Sequence, residues 1–180
     1  EYIRIDPANG EILPGSAFPL ATAGDFVLYD KTHKVGERNV QSFELHKDGK
    51  YRAKLDSPPY TIKGLLNNKG DVFFTSTQGV IRKATGKTSE LQRPARIDDA
   101  LLLENILIVA YKYHPHSTNW QSIPILEIIS LDGQTLKLYQ GVRSDDFGGY
   151  GTYLRLTATA NGSTVFLGDQ SGRVYHLNLP

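Results

Sequence analysis

The chain has 180 residues, which is enough for one domain with an apolar core. Its 20 basic and 19 acidic side chains give a net charge of +1 and are interspersed, so neither nucleic acid nor membrane insertion is expected. There is no cysteine, which excludes disulfides, thiolate zinc sites and cysteine nucleophiles, and no apolar run approaches the roughly 20 residues of a membrane span.

Short apolar runs bounded by turn formers predict β-strands along the whole chain. The clearest runs are rich in β-branched, aromatic and leucine residues and are expected to be buried on both faces: 26–29, 72–75, 106–109 and 165–167. A more amphipathic strand follows each of them, at residues 40–45, 80–83, 125–129 and 174–177, and another such strand opens the chain at residues 2–5. The sequence therefore predicts an all-β protein.

Three dipeptides predict tight β-hairpins, because Asn or Asp followed by Gly readily adopts the positive φ angles of such turns. They are Asn9-Gly10, Asp48-Gly49 and Asp132-Gly133. The outgoing strands after the second and third of these are predicted at residues 50–55 and 134–139.

The amphipathic strands recur at a regular spacing. They start at Tyr2, Val40, Val80, Ile125 and Val174, which are 38 to 49 residues apart. This period is typical of the four-stranded antiparallel blade of a β-propeller. We therefore predict one partial propeller domain over residues 1–180, with about four blade-like units at approximately 16–55, 60–94, 95–141 and 150–180, and with residues 1–15 completing a flanking blade.

The strand count predicts a segment of a larger propeller. By this scheme the chain begins and ends with the third strand of a blade, so the predicted units are out of phase with a closed ring. The chain also contains no methionine. We expect it to be a portion of a longer polypeptide whose other blades complete the ring.

Residues 162–178 form a buried strand, a turn with Gly and a strand that ends in Leu177-Asn178. This segment resembles the repeat of PQQ-like, quinoprotein-type β-propellers, and residues 2–13 look like its continuation. Residues 68–82 are similar again, and also resemble six-bladed propellers of the NHL and lactonase type. The quinoprotein resemblance implies a bound quinone, a calcium site and tryptophan-rich docking motifs, but the single tryptophan, Trp120, lies outside any repeat position. This departure argues against a redox role.

Two connections are longer than the others and are predicted to carry the specificity of the protein. The loop at residues 114–122 holds His114, His116 and Trp120. Two imidazoles invite a zinc interpretation, but zinc normally takes four ligands, so a polar surface loop is the favoured interpretation. Trp120 is interpreted either as an anchor for a partner or as a residue packed between blades.

The loop at residues 142–151 combines Asp145, Asp146 and Tyr150 with three glycines. The two carboxylates leave a calcium site open as an alternative to a solvated loop, although calcium needs six to eight oxygen ligands. The remaining histidines, His33, His46 and His176, are isolated along the chain and are predicted to lie at the surface. No Gly-x-Ser-x-Gly motif nominates a nucleophile.

These features predict a non-enzymatic β-propeller scaffold that binds a protein partner or a ligand through its rim loops and carries no cofactor. The residues expected to make contact are His114, His116, Trp120, Asp145, Asp146 and Tyr150. The alternative is part of a lactonase-like propeller hydrolase with a divalent cation in the central channel. A third possibility is a sensory or assembly domain of an envelope protein, and an extracytoplasmic location, periplasmic or secreted, is the expectation.

Overall fold

The computed structural model describes residues 4–5, 12–13, 18–31, 33–35, 38–113, 123–140, 154–159, 162–168, 172 and 174–179. In chain order the strands are β1 (Arg4–Ile5), β2 (Ile12–Leu13), β3 (Phe18–Ala23), β4 (Phe26–Asp30), β5 (His33–Val35), β6 (Arg38–Val40), β7 (Phe43–Lys47), β8 (Lys50–Leu55), β9 (Thr61–Leu66), β10 (Val72–Ser76), β11 (Val80–Lys83), β12 (Ser89–Gln92), β13 (Ile97–Leu102), β14 (Ile106–Tyr113), β15 (Ile123–Ser130), β16 (Thr135–Gln140), β17 (Arg155–Ala158), β18 (Thr164–Gly168) and β19 (Val174–Asn178). The described residues contain no helix.

The strands form four blade-like antiparallel sheets in chain order. Sheet 1 is β3-β4-β7-β8, sheet 2 is β9-β10-β11-β12, sheet 3 is β13-β14-β15-β16 and sheet 4 is β17-β18-β19. Two further hairpins, β1-β2 and β5-β6, pair only within themselves in the described residues. The predicted all-β, blade-like fold is confirmed. The described strands form no closed ring.

Turn chemistry explains how the third and fourth strands of sheet 1 are joined. Asp48 and Gly49 have φ angles of 51° and 71°, which is the conformation that a two-residue hairpin with the natural strand twist requires. The predicted Asp48-Gly49 hairpin therefore connects β7 to β8.

The sheets stack face to face through their apolar side chains. Along β10, Val72 and Phe74 pack into a cluster with sheet 1, whereas Phe73 packs into a cluster with sheet 3. Along β14, Leu107 faces the sheet 2 cluster and Ile108 faces sheet 4. This period-two alternation lets one strand contribute to two cores, as stacked repeats require.

Burial on both faces is confirmed for two of the four strands for which it was predicted. All residues of β10 are buried, and the described side chains of β14 are buried after Ile106. In β4 only Leu28 is buried and in β18 only Val165, so that prediction was wrong for these strands. The reason is position, because sheets 1 and 4 are the two ends of the described stack.

Two further details differ from the prediction. The expected strand at residues 40–45 is interrupted, because β6 ends at Val40 and β7 begins at Phe43. Val40 pairs with His33 in a separate hairpin. Sheet 4 has three strands in the described residues rather than four.

The first strands of the four sheets, β3, β9, β13 and β17, lie next to one another and form the inner edge of the stack. Close approach at this edge requires small residues. A Cβ atom at Gly64 would lie 2.6 Å from Cδ2 of Leu20 and 2.8 Å from Cδ2 of Leu28, so glycine is the residue that lets β9 approach sheet 1.

Among the described residues, no helix has the length and apolar character needed to cross a bilayer.

One buried ion pair joins sheets 2 and 3 outside the apolar clusters. The guanidinium of Arg93 donates from Nε and Nη2 to the two carboxylate oxygens of Glu127, at 2.7 and 2.8 Å. The hydroxyls of Tyr111 and Thr135 donate to the same carboxylate. Burial and the adjacent Glu127 carboxylate raise the pKa of Tyr111 to about 12. Glu127 is therefore fully hydrogen-bonded although its side chain is only 3% exposed.

Candidate functional site

The six residues predicted to make contact lie outside the described residues. They are His114, His116, Trp120, Asp145, Asp146 and Tyr150. The strands that flank them are described, however, and they show where the two long connections leave the fold. Tyr113 pairs with Ile123 at one end of sheet 3, and Gln140 pairs with Ile125 at the same end.

This end of the stack, which we call the loop end, is also where the inner strands begin. Ile97, the first residue of β13, pairs with Tyr111 near the end of β14. Leu154, which precedes β17, donates its N–H to Asp98 and so lies at the same end. Both long connections therefore attach beside the starts of β13 and β17.

The inner strands of sheets 2 and 3 are irregular at equivalent places near the loop end. The register of β9 shifts at Ile62, and that of β13 shifts at Asp98. In each case one residue of the inner strand has no partner on the second strand, which is the pattern of a β-bulge. Bulges re-aim side chains and are frequent next to functional sites.

Asp99 connects three sheets at the inner edge. Its Oδ1 accepts from Lys63 Nζ of sheet 2 at 2.6 Å and from the N–H of Ala100 at 2.9 Å. Its Oδ2 accepts from the N–H of Leu156 of sheet 4 at 2.8 Å. The Asp99 side chain is 8% exposed and the Lys63 side chain is 36% exposed, so the carboxylate of this ion pair is buried but the lysine is not. This arrangement fixes the relative position of the inner strands.

Asp98, the residue before Asp99, also bridges sheets 3 and 4. Its Oδ2 accepts from the N–H of Leu154 at 3.2 Å, and its backbone carbonyl accepts from Nη1 of Arg155 at 3.2 Å. Burial raises the pKa of Asp98, and the opposing effects of the Leu154 hydrogen bond and of the charges on Lys112, Arg96 and Arg155 are smaller. A carboxyl that is partly buried among cations at an inner edge is a candidate for ligand contact.

Tyr60 is the most exposed of the large apolar side chains described, at 68%. It directly precedes β9 at the loop end and has a φ angle of 57°, a left-handed conformation that costs about 1–2 kcal/mol for a residue with a Cβ. Its carbonyl accepts from the N–H of Thr77 at 3.1 Å, which holds this conformation in place. Ile62, two residues later, is 42% exposed. Strained and exposed aromatics of this kind are typical of contact sites.

The loop end therefore presents an apolar pair, Tyr60 and Ile62, beside charged groups of the neighbouring inner strands. This combination suits binding, because an exposed aromatic side chain beside charged groups matches the anchor and the polar rim of a protein interface. Within the described ranges, no group of three or more His, Cys, Asp or Glu side chains is arranged to hold a metal ion. The calcium alternative rests on Asp145 and Asp146 and stays a prediction.

Sequence reasoning missed Tyr60, Ile62 and the Asp98-Asp99 pair. The adjacent prolines Pro58 and Pro59 were a signal for a stiff turn that presents the next residue. The adjacent acids Asp98 and Asp99, inside the predicted blade-like unit 95–141, were a signal for a bulge or a buried pair. Of the histidines, His176 is exposed as predicted.

The prediction that His46 is isolated and lies at the surface was wrong. Its side chain is 20% exposed and its Nε2 lies 3.2 Å from Oε2 of Glu44. Its ring packs edge-on against Tyr29 and Tyr51, with centroids 4.9 and 5.8 Å away. Cross-strand pairing in sheet 1 brings these rings together.

Comparison of the chain with protein-family models, with curated proteins and with solved structures finds no match. The resemblance to PQQ-like or NHL-type repeats therefore stays an interpretation of the sequence, and functional reasoning depends on the geometry of the loop end.

Proposed function

We propose that this chain is a non-enzymatic binding module that uses a stack of blade-like sheets to present its loop end to a protein partner. The observation that carries the proposal is the side chain of Tyr60, which is 68% exposed although its backbone is held in a left-handed conformation. The Tyr60 side chain is largely exposed on a strained backbone, and a partner that covers it would gain apolar burial.

The surroundings of Tyr60 support a partner rather than a small ligand. Ile62 extends the apolar surface, and Arg96 and Arg155 place exposed charges at the same end of the adjacent inner strands. Protein interfaces typically combine an aromatic anchor with a charged rim. The partner segment expected here carries an apolar side chain for Tyr60 and carboxylates for the arginines.

The long connections at residues 114–122 and 142–151 belong to the same proposal. They attach to the loop end through β14, β15, β16 and β17, so a partner at Tyr60 would lie on the side of the stack from which they leave. Their predicted contact residues, including Trp120 and Tyr150, would widen the interface.

Site-specific photocross-linking tests the proposal. A benzophenone side chain is placed at Tyr60 in one variant and at Tyr51 in another, because Tyr51 is similarly exposed, at 57%, but lies on the outer strand β8. Both variants are irradiated in cells that make the full-length protein, and the adduct is identified by mass spectrometry. An adduct specific to position 60 is expected.

The affinity of the purified partner is then compared among variants. Tyr60→Ala and Ile62→Ala are expected to weaken binding, the former by about tenfold or more, whereas Tyr51→Ala leaves it unchanged. Equal cross-linking at positions 60 and 51, or equal affinities of Tyr60→Ala and Tyr51→Ala, would contradict the proposal.

A further inference from the structure

An open depression of about 870 Å³ lies at the end of the stack opposite the loop end. We propose that it binds an uncharged, hydroxyl-rich small ligand, such as a short free oligosaccharide. This site is separate from the partner surface at Tyr60, so either proposal can fail without the other.

All four sheets build the depression. It is lined by the connections between the first and second strand of each sheet, at residues 22–24, 66–68, 102–106 and 162–163, together with Leu179. Because these four connections come from consecutive sheets, the stacking itself creates the concavity. Its volume is in the range of small-molecule sites.

The walls are held rigidly at the junction of sheets 2 and 3. Asn67, which is 4% exposed, donates from Nδ2 to the carbonyl of Glu104 at 3.1 Å. Its Oδ1 accepts from the N–H groups of Lys69 and Asp71, at 3.0 and 2.9 Å. This residue therefore links the two connections and preorganises that side of the depression, which reduces the entropy lost on binding.

The polar groups that line the depression favour an uncharged ligand. Glu104 contributes a carboxylate, but Lys69 Nζ lies 3.7 Å from its Oε1 and donates to Oδ1 of Asn105 at 2.6 Å, so the charges at this wall cancel. The other polar side chains of the lining are the amides of Asn67, Asn68 and Asn105 and the hydroxyls of Thr22 and Ser163. Side-chain amides and hydroxyls both donate to and accept from sugar hydroxyls.

The Asn68 side chain is positioned to receive such a ligand. It is exposed and makes no hydrogen bond with any residue that the structure describes. Opposite it, Gly24 has no side chain to narrow the opening, and a Cβ there would lie 3.5 Å from Oδ1 of Asn68. Of the four leucines in the lining, Leu66 is buried, and the half-buried Leu102, Leu103 and Leu179 supply apolar surface for the C–H face of a sugar ring.

Nuclear magnetic resonance with isotope-labelled full chain tests the proposal, with maltotriose and cellotriose as the probes. We expect at least one of them to shift the side-chain amide signals of Asn68 and Asn105 in a saturable way. The side-chain amide signals of Gln78, which is exposed in the β10-β11 turn and does not line the depression, should stay in place. Ser163→Tyr, which fills the depression from an exposed position, should weaken the binding at least tenfold. Thr88→Tyr is the control, because Thr88 is an exposed hydroxyl residue in the β11-β12 connection and does not line the depression.

Asn68→Ala is the second variant, since truncation of an exposed side chain leaves the fold intact. It should also weaken binding, whereas Thr88→Tyr should bind like the unmodified chain. The proposal is overturned if neither trisaccharide shifts the Asn68 and Asn105 signals up to its solubility limit. It is also overturned if Ser163→Tyr and Asn68→Ala bind as tightly as Thr88→Tyr.

Discussion

The ammonium of Lys63 lies 2.6 Å from Oδ1 of Asp99, and this contact joins the inner strands of two consecutive sheets. The two residues are 36 positions apart in sequence. Asp99 also accepts a hydrogen bond from the N–H of Leu156 in the next sheet, so one carboxylate holds three sheets in register at the inner edge.

Removing Asp99 should lower the free energy of unfolding more than removing Lys63 does. Asp99→Ala leaves two backbone donors and Lys63 without their acceptor and should lower the free energy of unfolding by about 3 kcal/mol. Lys63→Ala should cost only about 1–2 kcal/mol, because Lys63 is a third exposed and Asp99 keeps its backbone donors. Urea unfolding measures both values. Lys69→Ala removes an exposed ion pair and serves as the control, and a loss from Lys63→Ala no greater than this control would contradict the role of Lys63.

The buried pair of Arg93 and Glu127 should matter far more than its exposed counterpart. Arg93→Ala strands a carboxylate that is 3% exposed and should cost about 3–5 kcal/mol. Arg82→Ala breaks a contact of similar length to Glu90, whose side chain is 48% exposed, and should cost less than about 1 kcal/mol. Chemical denaturation of the two variants under the same conditions makes the comparison, and equal losses would show that burial does not govern these pairs.

Gly64 should tolerate no side chain unless its neighbour is shortened. Gly64→Ala places a Cβ within 2.6 Å of Leu20 and should cost about 1–3 kcal/mol. Adding Leu20→Ala should recover part of this loss, because it removes the nearest clashing atom. Gly86→Ala is the control, since its cost comes from a φ angle of 66° in open space and Leu20→Ala should leave that cost unchanged. Thermal unfolding of the two single variants and the double variant measures the coupling between Gly64 and Leu20. If the stability lost in the double variant equals the sum of the losses in the two single variants, the close approach is contradicted.

Asp98 should make the protein less stable as pH rises from the acid range. Its pKa is raised in the folded state, so between the ordinary value of 3.8 and the folded value the native protein binds more protons than the unfolded chain. The contribution of the neutral carboxyl is present below pH 3.8 and is lost as pH rises through the folded pKa. Asp98→Asn should therefore be more stable than the unmodified chain at pH 7, with the difference disappearing below pH 3.8.

Urea unfolding of both proteins across this pH range provides the measurement for Asp98. The side-chain carboxyl carbon resonance of Asp98 reports its pKa directly in the unmodified chain. A resonance that titrates at or below 3.8 would contradict the raised pKa, whatever the stability of the variant.

Tyr60 should carry a local cost in stability that glycine relieves. Tyr60→Gly removes the left-handed strain, which offsets the greater freedom of glycine in the unfolded chain, so stability should change by no more than about 0.5 kcal/mol. Tyr51→Gly, in the strand β8, gains no such relief and should lose about 1 kcal/mol. Calorimetry measures the stability of the two variants. Equal losses of stability in Tyr60→Gly and Tyr51→Gly would mean that the backbone of Tyr60 is not strained.

Much of the fold could be predicted because it depends on local patterns. The apolar runs that became β10 and β14 and the Asp48-Gly49 turn are encoded within a few residues of each other, by alternation and by turn conformation. The burial of individual strands was less predictable. Residues 26–29 and 72–75 look equally apolar in sequence, but only the second run lies between two sheets of the described stack.

The candidate site could not be predicted in the same way. Tyr60 follows two prolines, which signal a stiff turn but not an exposed aromatic in a left-handed conformation. That conformation is held by the N–H of Thr77, a residue 17 positions away, which donates to the carbonyl of Tyr60. The six residues predicted from loop length lie outside the described part of the chain, so their roles stay predictions, although the strands that flank them do begin and end at the same loop end as Tyr60.

By itself, the sequence determined that the chain forms short antiparallel strands joined by tight turns and grouped at a spacing of about forty residues, because strand and turn formation are decided by nearby side chains. Only the tertiary structure decided which faces meet, where Gly64 allows close approach, and how Asp99 comes to hold Lys63 and Leu156 together. These are contacts between residues distant along the chain, and they form only when the apolar faces of separate sheets cover one another.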